Sequence, residues 1–95
     1  MARQHIHEMK LHVMILKEGK RFVAYAPSLD LSTSGKTFEE AKKRFGEIVD
    51  IFVEEIVESG TVDQVLDELG WERIKNEWRP PVVVSQELKQ IQIPA

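Results

Sequence analysis

The sequence predicts an α+β fold in which an antiparallel three-stranded meander is packed by one long helix, followed by a short helix and C-terminal strands. Two observations carry this prediction. Residues 5–34 contain three strand-like stretches separated by short turns. A capping sequence at Thr37 then opens a long segment with a single apolar stripe. No other predicted helix is long enough to cover that stripe, so the sheet must cover it.

Length and composition limit the organisation of the chain. Ninety-five residues form a single domain, residues 1–95, which we divide into a core at 6–70 and a C-terminal extension at 71–95. The chain has no cysteine, which excludes disulfides and thiolate metal ligands. No signal peptide or membrane-spanning run is evident, so we expect a cytoplasmic protein without membrane contact. Because small cores are often completed by association, we also expect a homo-oligomer, either a dimer or a tetramer.

The first two strands are predicted to form a hairpin. The first strand runs from His5 to Leu16 with alternating polarity. A tight turn at residues 17–20, in which Gly19 can take positive φ, leads into a second strand from Arg21 to Ala26. Pro27 ends this strand because proline has no amide hydrogen for the ladder. A short third strand is expected from Leu29 to Ser34.

The long helix has sequence signals at both ends and along one face. Thr37 and Glu40 form a capping box at its start, and Ser59-Gly60 ends it. Apolar residues recur at steps of three and four, at Phe38, Ala41, Phe45, Ile48, Val49, Phe52 and Ile56. Gly46 lies inside the helix, where it costs about 1 kcal/mol relative to Ala. We therefore expect close backbone contact at Gly46.

The C-terminal third continues with shorter elements. Thr61 and Gln64 resemble a second capping box before a helix from Val62 to Leu69. Pro80-Pro81 then interrupts the chain. Beyond it, residues 82–84 and 88–93 have the composition of strands.

No group of residues predicts catalysis, a cofactor or a metal centre. His5 and His7 share a strand face, but His12 has the opposite parity and no carboxylate completes a ligand set. Asp30 is the acidic residue without an evident structural role, and no nucleophile and base accompany it. Gly35-Lys36-Thr37 lacks the upstream glycine of a phosphate-binding loop. We therefore assign no catalytic, cofactor-binding or metal-binding residue.

Charge is distributed unevenly along the chain. Residues 37–70 contain three Lys/Arg and ten Asp/Glu, whereas the whole chain has a net charge of −3. The helix positions opposite the apolar stripe include Glu47, Asp50, Glu54 and Glu58. Carboxylates repel the phosphate backbone of nucleic acids, which argues against nucleic-acid binding by this face. It is typical either of a solvated helix or of a surface for a basic protein partner.

From Met9 to Trp71, about two thirds of its length, the chain resembles the HicB-like antitoxin family. The resemblance lies in the order of the elements: a strand, a short turn, a second strand, a loop with a small strand, and a capped helix. The second strand ends in Val23-Ala24-Tyr25-Ala26-Pro27, and the loop and small strand contain Leu29-Asp30 and Ser34-Gly35-Lys36-Thr37. The helix starts with Thr37-Phe38-Glu39-Glu40-Ala41. It implies a partial RNase H-like fold without catalytic carboxylates. It also implies that the protein holds a small HicA-type ribonuclease toxin inactive. Partner contacts would then include Leu29 and Asp30 beside the acidic helix positions.

The chain departs from this family after Gly70. Many relatives carry a C-terminal ribbon–helix–helix or helix–turn–helix domain, and the 25 residues that follow Gly70 here fit neither. Direct DNA binding is therefore doubtful. The sequence favours a non-catalytic protein-binding module that resembles a type II antitoxin. The alternatives are a self-associating structural or regulatory module without a toxin partner, and a small hydrolase that uses Asp30.

Overall fold

The computed structural model describes residues 7–95 and has an α+β architecture, as the sequence predicts. Within this range, six strands form two small sheets and two helices pack on them. The elements are β1 (Glu8–Met9), β2 (Met14–Glu18), β3 (Arg21–Ala26), β4 (Leu31–Gly35), α1 (Phe38–Glu58), α2 (Val62–Glu68), β5 (Glu72–Ile74) and β6 (Glu77–Arg79).

The main sheet is the predicted antiparallel meander, with strand order β2-β3-β4. Ala24, at its centre, pairs with Ile15 of β2 and Thr33 of β4. Gly19 takes positive φ (59°) in the turn between β2 and β3, as expected. The third strand begins at Leu31, two residues later than predicted, because residues 27–30 form a turn in which the Asp30 amide donates to the Pro27 carbonyl at 3.1 Å.

The predicted first strand, His5 to Leu16, is wrong as a single element. In the described part it divides into β1 and β2, which belong to different sheets. β1 lies parallel to β6, whereas β2 pairs with β3. The apolar alternation runs through both strands because each contributes to a hydrophobic core. Ile15 packs in the core between the main sheet and α1, whereas Met9 packs in a second core around Trp71 and Trp78. His5 and the start of this prediction lie outside the described residues.

Helix α1 begins and ends as the capping signals predict. Thr37 has extended backbone, and its hydroxyl oxygen accepts a hydrogen bond from the Glu40 amide at 3.0 Å. The Glu40 carboxylate accepts from the Lys36 amide at 3.3 Å. At the other end Gly60 takes positive φ, and the Thr61 amide donates to the Ile56 carbonyl at 2.9 Å, which closes a Schellman motif.

The main sheet and α1 approach closely because small residues lie between them. Ala24, Ala26 and Ala41 are buried there around Phe45, which is 4% exposed. A Cβ added to Gly35 would lie 2.6 Å from the Ala41 amide nitrogen. The expectation of close contact at Gly46 is wrong, because a Cβ there would meet nothing within 4 Å. The close approach of helix and sheet is at Gly35.

A second core joins the C-terminal half of α1 to α2 and the β5–β6 hairpin. It consists of buried Leu29, Ile56, Leu66, Trp71 and Trp78, with Phe52 packed at its edge. The Trp71 indole donates a hydrogen bond of 2.7 Å to the Ser28 carbonyl. This bond ties the segment after α2 to the turn between β3 and β4. Phe52 thus packs against this second core and not against the core around Phe45.

Two predictions for the C-terminal third are wrong in detail. Thr61 makes no side-chain cap, and its hydroxyl instead lies 2.7 Å from the Ser59 hydroxyl. The C-terminal strands exist, but they are β5 and β6, before Pro80. Lys75 takes positive φ in the turn between them, and Trp71 and Trp78 anchor the hairpin in the core. Residues 82–95 form neither strand nor helix.

Candidate partner-binding surfaces

An acidic face runs along the solvent side of α1. It consists of Glu47, Asp50, Glu54 and Glu58, and all four are exposed. The opposite side of the helix carries buried Ala41, Phe45 and Ile56. Two ion pairs occur in the described residues, Arg44–Glu40 at 3.2 Å and Arg73–Asp63 at 3.8 Å, and neither includes a residue of the acidic face.

The acidic face is electrostatically unfavourable within the isolated chain. Successive members are three or four residues apart, a spacing at which like charges destabilise a helix by about 0.2–0.5 kcal/mol per pair. The last turn of α1 contains no basic residue, so Glu54 and Glu58 also lie near the negative end of the helix dipole. A cationic partner would relieve both interactions.

The structure separates the other two predicted partner-binding residues. Leu29 is 3% exposed and packs in the second core against Ile56, on the buried side of α1. Its side chain supports the turn and is not presented to solvent. Asp30 is exposed and takes positive φ (53°) at the same turn. The predicted residues thus form an acidic helix face and a separate exposed carboxylate, not one continuous patch.

Sequence reasoning did not identify the open face of the main sheet as a surface. The side of the sheet turned away from α1 carries Met14 and Leu16, which are 43% and 45% exposed, and half-buried Val23 and Tyr25. Met14 pairs with Tyr25, and Leu16 with Val23, so the four side chains form one apolar patch. No described residue from a helix covers this patch. The sequence does indicate that these residues share a face, because Met14 and Leu16 alternate with Ile15, and Val23 and Tyr25 alternate with Ala24.

The second missed feature is the segment at residues 82–95, which we call the C-terminal arm. Its six large aliphatic residues are among the most exposed in the chain, and Val84 is 95% exposed. They are Val82, Val83, Val84, Leu88, Ile91 and Ile93. The Cα radius of gyration is 16.7 Å, against about 12 Å for a compact chain of this length. The arm accordingly extends well outside the packed body.

The described residues contain no group of three or more His, Cys, Asp or Glu that could hold a metal ion. His7 is half-buried and His12 is exposed, while His5 lies outside the described range. Asp30, the candidate of the hydrolase interpretation, forms no side-chain hydrogen bond with any described residue.

Neither α1 nor α2 combines the length and the apolar character needed to cross a bilayer. The fold and its surfaces define an α+β protein whose prominent features are an acidic helix face, an open apolar sheet face and an apolar arm. A scan of protein-family models and searches of curated proteins and of solved structures each gave no match to the chain.

Proposed function

We propose that this protein is a non-catalytic protein-binding module that binds and occludes a small basic ribonuclease, in the manner of the HicB-like antitoxins that its sequence resembles. The observation that carries the proposal is the acidic face of α1. Its four carboxylates are exposed, lie at repulsive spacing and take part in no ion pair with a described residue. A surface that is unfavourable alone and favourable beside positive charge is suited to a basic partner.

Inhibition of this kind requires no chemistry from the module. The partner loses activity when its active site or its RNA-binding surface is sterically covered. The acidic face attracts the positive partner and accelerates encounter, an effect that weakens as salt is added. Apolar contacts made after docking then determine the lifetime of the complex.

A neutralised variant tests the role of the acidic face. The combined change Glu47→Gln, Asp50→Asn, Glu54→Gln and Glu58→Gln removes three like-charge pairs and should stabilise the isolated protein by roughly 1 kcal/mol. The same variant should associate with the ribonuclease at least tenfold more slowly at low salt, and the difference should shrink at high salt. This combination of a more stable fold and weaker partner binding distinguishes a binding surface from a structural one.

The matched control neutralises four exposed acidic residues on other parts of the surface. It carries the same change in charge at Glu18→Gln, Asp67→Asn, Glu72→Gln and Glu87→Gln. Stopped-flow association rates that fall equally in both variants would show that only net charge matters. They would remove the acidic face from the proposal.

The function itself is tested in cells. The small reading frame adjacent to this gene is expressed with and without this protein, and growth is measured. We expect the neighbouring gene to stop growth when it is expressed alone, and growth to be restored when this protein is co-expressed. A neighbour that is harmless alone, or that stays toxic in the presence of this protein, contradicts the antitoxin proposal.

The exposed apolar arm and sheet face favour a second candidate, a self-associating structural or regulatory module. In both proposals the protein is a cytoplasmic homo-oligomer, a dimer or tetramer, and the 25 residues after Gly70 match neither of the DNA-binding motifs that many HicB-like relatives carry. The two differ in whether a ribonuclease partner exists, which the growth experiment decides.

A further inference from the structure

We propose that the C-terminal arm of one copy adds a strand to the free edge of β2 in a second copy, and that two copies exchange arms reciprocally. The pairing segment is Val82–Leu88, whose apolar side chains would lie beside Met14 and Leu16 and extend the apolar patch that these form with Val23 and Tyr25. This inference does not depend on a ribonuclease partner, because it uses neither the acidic face of α1 nor Asp30.

The free edge of β2 offers both backbone groups and apolar side chains. Among the described residues, β2 pairs with β3 alone, so its other edge presents unpaired amide and carbonyl groups. Met14 and Leu16 are exposed on the open face beside it, and Val13 is 41% exposed just before it. The opposite edge strand, β4, carries small polar residues at 32–34. An added apolar strand therefore gains more at β2 than at β4.

The arm has the composition and the side-chain parity that this edge requires. Val82, Val84 and Leu88 share one parity, so in an extended strand they lie on one face. That face would extend the patch formed by Met14 and Leu16. The apolar parity changes between Leu88 and Ile91, which limits the pairing segment to about seven residues. This length matches the five residues of β2 and the positions next to it.

The arm is directed away from its own sheet. Pro80 and Pro81 line the same cleft as His12 and Leu69, and a Cβ on Gly70 would be 3.2 Å from the Pro81 ring. Two consecutive prolines favour a stiff, extended backbone, which holds the direction in which the arm leaves the body. The aliphatic residues of the arm remain largely exposed beside the described part of their own chain.

The position of Pro80 and Pro81, from which the arm starts, makes reciprocal exchange geometrically feasible. Pro80 and Pro81 line two clefts together with His12, which is two residues before β2, so the start of the arm and the accepting edge lie in the same region of the surface. A two-fold axis near this region brings each arm onto the other copy's β2. The dimer then contains two such pairings, and Val82, Val84 and Leu88 of each arm lie beside the apolar patch of the other copy.

The absence of cysteine from the chain permits a clean cross-linking test. Two full-length proteins of different tag size are mixed, one with Val84→Cys and the other with Leu16→Cys, and oxidised at tens of micromolar. We expect a heterodimeric disulfide band on a non-reducing gel. The control replaces Leu16→Cys with Ser32→Cys, an exposed residue of β4, and should give at least tenfold less heterodimer. Equal yields from the two pairs, or none from either, overturn the proposal.

Light scattering on variants gives an independent result. The wild-type protein should have twice the mass of the 11.0 kDa chain at tens of micromolar. Val84→Asp with Leu88→Asp should give a folded monomer, because both side chains are fully exposed within one chain. Gln90→Asp with Gln92→Asp adds the same charge outside the pairing segment and should stay dimeric. A monomeric wild type, or a dimeric Val84→Asp/Leu88→Asp variant, overturns arm exchange, whereas occlusion of a ribonuclease is decided separately by the growth experiment.

Discussion

Replacing Gly35 and Gly46 separately by alanine should change the stability of this protein in opposite directions. The chemical change is identical, and the two residues are eleven positions apart in the sequence. Gly35 is the buried last residue of β4, where an added Cβ would lie 2.6 Å from the Ala41 nitrogen and 3.0 Å from the Glu40 carbonyl carbon. Gly46 is exposed within α1, and a Cβ there meets nothing within 4 Å.

The expected magnitudes follow from these distances. At Gly46, alanine removes the helix penalty of glycine and should stabilise the fold by about 1 kcal/mol. At Gly35, the crowded atoms belong to the helix backbone and cannot rotate away, so α1 must shift from the sheet. Overpacking of this kind costs about 1–3 kcal/mol, against a gain of roughly 0.4–1 kcal/mol from the stiffer unfolded chain. A net loss of about 1–2 kcal/mol is expected for Gly35→Ala.

Thermal unfolding followed by circular dichroism at 222 nm measures both changes. For a domain of this size, about 1 kcal/mol corresponds to a Tm change of roughly 4–8 °C. The Tm should therefore rise by that amount in Gly46→Ala and fall by roughly 4–16 °C in Gly35→Ala. A Tm for Gly35→Ala equal to or above the wild-type value would refute the close approach of β4 and α1.

Three further changes test the two cores and the helix cap. Phe45→Ala should cost about 3–5 kcal/mol, because the ring is almost wholly buried between α1 and the main sheet; an unchanged Tm would mean that this core is wrongly assigned. Thr37→Ala should cost about 1 kcal/mol by removing the side-chain cap of α1, and Thr37→Ser should retain most of it. Trp71→Phe should lower the free energy of unfolding by about 1–3 kcal/mol more than Trp78→Phe, as measured by urea denaturation. Trp71→Phe removes the indole hydrogen bond to the Ser28 carbonyl. The buried Trp78 indole nitrogen has no hydrogen-bond partner among the described residues, so Trp78→Phe removes no such bond. Equal costs for the two tryptophan variants would contradict that role of the Trp71 bond.

The candidate surfaces were predictable to different degrees. The acidic face of α1 follows from helical periodicity once the apolar stripe is known, so the exposure of Glu47 and Glu58 could be read from the sequence. The burial of Leu29 could not, because it depends on Trp71, which reaches it from 42 residues later in the chain. The open sheet face was missed because its residues alternate as an ordinary strand does, and only the placement of α1 shows which side stays uncovered.

The sequence by itself determined the local elements: the β2–β3 hairpin around Gly19, the cap at Thr37, the length of α1 and its termination at Gly60. Each depends on residues within a few positions of one another, where propensity, capping and turn geometry act. Tertiary structure decided the rest. Parallel pairing with β6 assigned Glu8–Met9 to a second sheet and divided the predicted first strand. Residues 82–93 have the composition of strands but pair with no strand among residues 7–95, and a segment without a neighbour for its backbone hydrogen bonds does not form a strand. Gly35, not Gly46, became the point of close contact, since distances between helix and sheet depend on packing that no local pattern encodes.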